Sequence, residues 1–109
     1  VFIHIPPRFF EDGIITTTKR RGFKKLAGEF HDLMVRHHVT EVFMGHIHGY
    51  SSKLVDGVQY TLTAGAGAPL CKQLPEQSRV HNYVVVEAGA GGLTREVVRL
   101  IDGVWTRGA

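Results

Sequence analysis

The chain has 109 residues, 43% of them apolar and 21% charged, with a formal charge of +3 and a single cysteine, Cys71. That suffices for one domain with a modest core and excludes an internal disulfide scaffold. No apolar run approaches the length of a membrane span and no signal peptide is visible, a silence that leaves localisation unknown.

The first five residues, Val1 to Ile5, are a β-branched and aromatic run that carries His4 and stops at Pro6-Pro7, which cannot donate to a ladder. This is a buried-type strand ending near a histidine. Residues 8 to 18, with Gly13 and a threonine triplet, read as a loop whose Thr18 serves as an N-cap. Phe23, Leu26, Ala27, Phe30, Leu33 and Met34 then recur at three- and four-residue steps. They predict an amphipathic helix from about 19 to 38, with Lys25, Glu29, Asp32 and Arg36 on the opposite face. Gly28 inside it costs about 1 kcal/mol relative to alanine, so a close contact with a strand is expected there. Lys19, Arg20, Arg21, Lys24 and Lys25 form a basic segment. Its ordinary reading is a solvated helix entry; a phosphate-rich substrate or a nucleic acid is the alternative, because cations at a helix N-terminus oppose the macrodipole.

Glu41 to Met44 is a strand that delivers Gly45-His46-Ile47-His48-Gly49. On an extended backbone residues i and i+2 share a face, so both imidazoles can converge on one site, and the flanking glycines let the chain crowd a ligand or ion. Asp56-Gly57 predicts a tight turn between Ser52–Val55 and Val58–Thr63. Residues 65 to 78 form a loop long enough to border a pocket. Tyr83–Glu87 and Thr94–Ile101 are the last strands, joined by the glycine-rich turn at 89–92. The two Gly-Ala-Gly segments are turns, since neither follows a strand and opens a helix as a phosphate cradle does. His31, His37 and His38 take ordinary helix or surface roles, and His81 opens a strand. Cys71 is a small semi-buried residue.

The order strand-His4-x-Pro-Pro, helix, strand-Gly45-His46-x-His48-Gly49-Tyr50, then Gly57-Val58-x-Tyr60 into Thr63-Ala64-Gly65-Ala66-Gly67, resembles the C-terminal half of calcineurin-like metallophosphoesterases. The match runs from about residue 1 to residue 70, and the Gly-His-x-His element is its most specific part. The resemblance implies His4 and His46 as ligands of one metal and His48 as a ligand of its neighbour, with Tyr50 lining the substrate pocket. It also implies two divalent or trivalent transition metals, Mn, Fe or Zn, holding a phosphate ester for in-line attack.

The Asp-x-His, Gly-Asp-x-x-Asp and Gly-Asn-His elements of that family are absent. Two such ions, roughly 3.5 to 4 Å apart, need anionic ligands that three neutral imidazoles do not supply. The nearby carboxylates Glu11, Asp12, Glu41 and Asp56 do not sit beside the histidines in sequence. Residues 1–109 are therefore expected to be the C-terminal portion of a metallophosphoesterase domain, inactive without its N-terminal half. The expected fold class is α/β, a partial sandwich of mixed β-sheets with an outer helix. The expected function is phosphoric mono- or diester hydrolysis by the full-length parent. The alternatives are a catalytically inactive protein-binding scaffold of the same fold, or a nuclease using the 19–25 segment. Exposed strand faces predict a homo-oligomer, a swapped assembly or a covering chain.

Overall fold

Two three-stranded sheets frame the molecule, and the period-2 alternation of their side chains decides what each face meets. The computed structural model describes residues 1–17 and 19–108; Thr18, expected as an N-cap, lies outside the described residues. In chain order the elements are α1 (Arg8–Asp12), α2 (Ala27–Arg36), β1 (Glu41–Met44), β2 (Gly49–Val55) and β3 (Val58–Ala64). A 3-10 turn at Glu76–Ser78 follows, then β4 (Asn82–Gly89), β5 (Gly92–Ile101) and β6 (Val104–Gly108). The first sheet has the order β1-β3-β2, with β1 parallel and β2 antiparallel to β3; the second is the antiparallel meander β4-β5-β6. The α/β architecture of two sheets with outer helices is present, the first sheet mixed and the second purely antiparallel.

Val42 and Met44 of β1 and Val58, Tyr60 and Leu62 of β3 share a face. There Phe10 of α1, Met34 of α2, Ile15, Ile47 and Leu74 close the core over them. The opposite face carries the buried Phe43 beside polar side chains that tie the sheets together. Arg95 of β5 pairs with the buried Glu41 at 3.0 Å, and the Thr61 hydroxyl also donates to that carboxylate. The Thr63 hydroxyl donates to Asn82 Oδ1 at 2.6 Å, while the Asn82 amide donates to the Gly49 and Ala64 carbonyls at 3.0 and 3.1 Å. Pairing offsets the cost of burying these polar groups and so fixes how the second sheet meets the first.

Several local expectations need correction. The first strand is reduced to a parallel bridge between Phe2 and Phe43, although Phe43 N–H still donates to Val1 O (2.8 Å) and Ile3 N–H to Phe43 O (3.0 Å). The expected loop at 8–18 contains α1, whose five residues are too few to show a period. The helix expected over 19–38 spans only Ala27–Arg36. Tertiary pairing overrides the periodicity: Arg8 N–H donates to Phe23 O (2.7 Å) and Phe23 N–H to Pro6 O (3.0 Å), drawing the chain into a bridge. Leu26 is then left-handed at φ 66°, which stops the helical path, and Leu26 and Leu33 point outward at 58% and 42% exposure. The expected strand contact at Gly28 is absent, since a Cβ there would meet nothing within 4 Å.

The Asp56-Gly57 turn is as expected, with φ values of 50° and 82° that suit a two-residue hairpin loop. The same chemistry recurs at Asp102-Gly103 (φ 52° and 77°) and starts β6, a strand not anticipated. Among the described residues no helix is long and apolar enough to cross a membrane.

Candidate functional site

The His-x-His segment is not extended. Directly after β1 the Ile47 N–H donates back to the Gly45 carbonyl at 2.8 Å, and His46 between them has φ 70°. This is a γ-turn with positive φ, the rarer and more strained kind, and it occupies a region that non-glycine residues seldom adopt. Ile47 is 1% exposed and fills the core, so the histidines on either side are both left partly accessible. His46 meets His4 edge to face, with ring centroids 5.1 Å apart at 73°. Main-chain pairing brings them together, because Gly45 N–H donates to His4 O at 2.8 Å. A Cβ on Gly45 would lie 3.4 Å from His4 Nδ1, so the small residue leaves that ring its place. Gly49 serves packing instead: a Cβ there would fall 2.4 Å from Leu74 Cδ1 and 2.5 Å from Ser78 O.

His48 faces a different partner. Its Nδ1–H donates to the Pro69 carbonyl at 2.8 Å, and because a carbonyl only accepts, the neutral ring keeps the Nε2 lone pair available. His46 and His48 line one cavity of about 500 Å³ with Arg21, Cys71, Lys72 and Gln73. His4 lies instead on a neighbouring groove of about 250 Å³ bounded by Phe2, Phe43, Val84 and Val86.

All four nearby carboxylates are engaged elsewhere. Glu11 accepts the N–H groups of Arg21 and Gly22, Asp12 pairs with Arg20, Asp56 with His31, and Glu41 with Arg95. Among the described residues no group of three or more His, Cys, Asp or Glu side chains is placed to hold a metal ion. Neutral imidazoles alone do not balance two cations, so these residues do not by themselves fit a dinuclear centre.

Tyr50 is held by the second sheet. Arg95 Nη1 donates to its hydroxyl at 3.3 Å, and the Arg99 guanidinium lies 4.9 Å from its ring centroid, a cation–π arrangement. His31 joins a closed cluster. Its Nε2–H donates to Asp56 Oδ2 at 2.7 Å, and its Nδ1 accepts from the Tyr60 hydroxyl at 2.7 Å. Burial, with the Asp56 charge second, pushes the Tyr60 phenol up to about 12. His81 Nδ1–H donates to Gly65 O at 2.6 Å, and His37 and His38 are exposed beyond α2. Arg21 was hidden in the sequence within a run of cations, and nothing in that run distinguishes it from its neighbours.

No family model matches the chain, and no curated protein does. Among solved structures it is similar to Vps29 from Entamoeba histolytica complexed with Zn2+, with a TM-score of 0.58 and 17% identity over 85% of this chain and 49% of that one. A double mutant of the same protein gives a TM-score of 0.57 at 17% identity over 86% and 50%, and a single mutant gives 0.54 at 18% over the same shares. The chain thus spans about half the length of the solved chains it matches. The likeness shows the fold alone, of the metallophosphoesterase type.

Proposed function

We propose that this chain is the C-terminal half of a metal-dependent phosphoric ester hydrolase, supplying His4, His46 and His48 to a dinuclear centre completed by acidic ligands from the preceding half. The observation that carries this reading is His46, kept at φ 70° in a γ-turn with its ring against His4. Strained backbone of this kind persists where the surroundings enforce it, and it clusters at functional sites. His48 adds support, since a ring whose Nδ1–H is fixed by a carbonyl is in the tautomer a metal ligand needs. The fold-level likeness to a Zn2+ complex, covering half of that chain, is consistent with it. No catalytic residue is assigned here, and Tyr50 is proposed to border the substrate region only through its place on β2 beside His48.

The second reading is a catalytically inactive protein-binding scaffold. It is favoured by the commitment of Glu11, Asp12, Glu41 and Asp56 to other partners, and by surface residues such as Phe2, 79% exposed, and Trp105, 43% exposed. Such apolar surface calls for a cover, whether the preceding half or a second copy.

The deciding experiment measures metal content and turnover of a chromogenic phosphomonoester and phosphodiester by the full-length protein, for wild type and His46→Ala. Two transition metals per chain, with turnover lost in the variant, are the expected result. A folded protein with no metal and no turnover would transfer the assignment to the scaffold.

A further inference from the structure

Among the described residues, the cavity beside His46 and His48 has cation-bearing Arg21 and Lys72 in its wall and no carboxylate. The basic segment that supplies Arg21 is not one surface. Arg20 turns to Asp12 at 2.7 Å, Lys24 and Lys25 face solvent, and Arg21 alone reaches the cavity.

Its position is built. Glu11 is 0% exposed, and its carboxylate accepts the Arg21 N–H at 2.6 Å and the Gly22 N–H at 2.9 Å. A buried carboxylate is costly unless its oxygens are satisfied, so this clamp fixes the backbone on which Arg21 rides. Gly22 is required there, because a Cβ would lie 2.7 Å from Pro6 O. From the other side, the Thr16 N–H and hydroxyl both donate to Gln73 O at 2.9 Å, tying this loop to the segment that walls the cavity. The guanidinium is then oriented through one nitrogen: Nη1 donates to Gln73 Oε1 at 3.0 Å and to Cys71 Sγ at 3.3 Å. Among the described residues Nε and Nη2 make no hydrogen bond. Those two form the edge that matches two oxygens of a phosphate or carboxylate.

We propose that Arg21 grips the oxyanion of a phosphoryl group in this cavity through its Nε–H and Nη2–H edge, with Lys72 adding a second charge and Glu11 acting as a positioning residue. The inference deepens the hydrolase reading and rests on it for the ester as ligand. The oxyanion itself is shared by free phosphate and a phosphate ester. The apolar side of the cavity, Ile47, Pro69 and Leu70, suits the organic part of an ester.

The test is calorimetric titration of the full protein in chelator with inorganic phosphate and with phenylphosphonate, for wild type, Arg21→Gln, Arg21→Lys and Glu11→Gln. Wild type is expected to bind both, and Arg21→Gln to weaken binding by about tenfold or more, as for loss of a charge-assisted pair. Arg21→Lys restores charge but not the fork and should recover only part. Glu11→Gln should weaken binding while Arg21→Gln leaves the melting temperature unchanged, so a failure of Glu11→Gln to fold leaves the arginine pair of variants decisive. Tighter phenylphosphonate names an ester as the ligand, and equal affinity names free phosphate; either supports the oxyanion site. No binding of either anion by wild type, or equal affinity in Arg21→Gln, overturns the proposal. Phosphate binding that depends on Arg21 without turnover in any variant would remove the hydrolase and keep this site. Turnover with a KM unmoved by Arg21→Gln would do the reverse.

Discussion

Two histidine clusters in this molecule make opposite use of the same side chain. At His31 both ring nitrogens are spent, one on the Tyr60 hydroxyl and one on Asp56, and Phe9 packs on the ring with centroids 5.3 Å apart. At His46 and His48 one backbone is strained, one ring nitrogen is held by Pro69, and the rings border a cavity of about 500 Å³. The first cluster joins helix α2 to the β2–β3 hairpin and contributes stability. The second leaves the His48 Nε2 without a partner among the described residues, in the wall of that cavity. What a histidine does here is decided by whether its second nitrogen is already engaged, which its place in the sequence does not reveal.

The largest effect that separates the two clusters is expected from Tyr60→Ala. Tyr60 is 0% exposed and touches both Phe9 and Phe10, so truncation leaves a cavity and an unpaired His31 nitrogen. A loss of about 3–5 kcal/mol in denaturant unfolding is expected. His46→Ala in the same assay should change stability by less than about 1 kcal/mol, in the range of ordinary surface substitutions. Equal losses for the two variants would break the contrast.

A smaller effect is expected with pH. The Tyr60 phenol titrates at 10.0 when unfolded and is pushed up to about 12 in the fold by burial, with Asp56 adding to it. The unfolded chain therefore loses this proton first. Stability is full below pH 10.0 and falls as pH rises towards about 12. Tyr60→Phe should cost about 1 kcal/mol near neutrality by removing the hydroxyl from His31. It should also flatten that alkaline decline, as read by melting temperature against pH. An unchanged alkaline slope in Tyr60→Phe would show that another group carries it.

His46→Gly tests the open cluster by its backbone. Relief of a residue at φ 70° is worth about 1–3 kcal/mol, against roughly 1 kcal/mol lost to the freedom of glycine in the unfolded chain. A net change from about zero to a gain of about 2 kcal/mol is expected, together with loss of metal binding in the full-length protein. Destabilisation would mean that the His46 ring is a packing residue and the strain has no functional counterpart.

Much of the frame was legible because its signals are local. Asp56-Gly57 marked the hairpin, and the apolar runs marked β1, β4 and β5. The same Asp-Gly signal at 102–103 marked β6 and went unused. The helix start was illegible because it is set by a contact between Phe23 and Pro7, which no period in residues 19–38 encodes. At the site, the extended geometry expected for residues 45–49 was wrong. His46 is the central residue of a γ-turn closed by Ile47 N–H on Gly45 O, with Ile47 buried beyond it, and a period of two does not encode that. Arg21 could not be singled out, since its difference from Arg20 lies in which carboxylate and which carbonyls each meets after folding.

The smallest effect sharpens the contrast from the helix that carries His31. Gly28 lies within α2, and a Cβ added there would meet nothing within 4 Å. No close approach therefore requires glycine, and Gly28→Ala should recover helix propensity, about 0.5–1 kcal/mol. The gain should appear locally, as increased amide protection across α2 and the β2–β3 turn that His31 joins, with exchange at Gly45–His48 unchanged. That pattern follows if the closed cluster is coupled to α2 and the open one is held by its own turn. Slower exchange at His46 in Gly28→Ala would show that the two clusters share one cooperative unit, and that the strain at His46 is held by the helix side of the core.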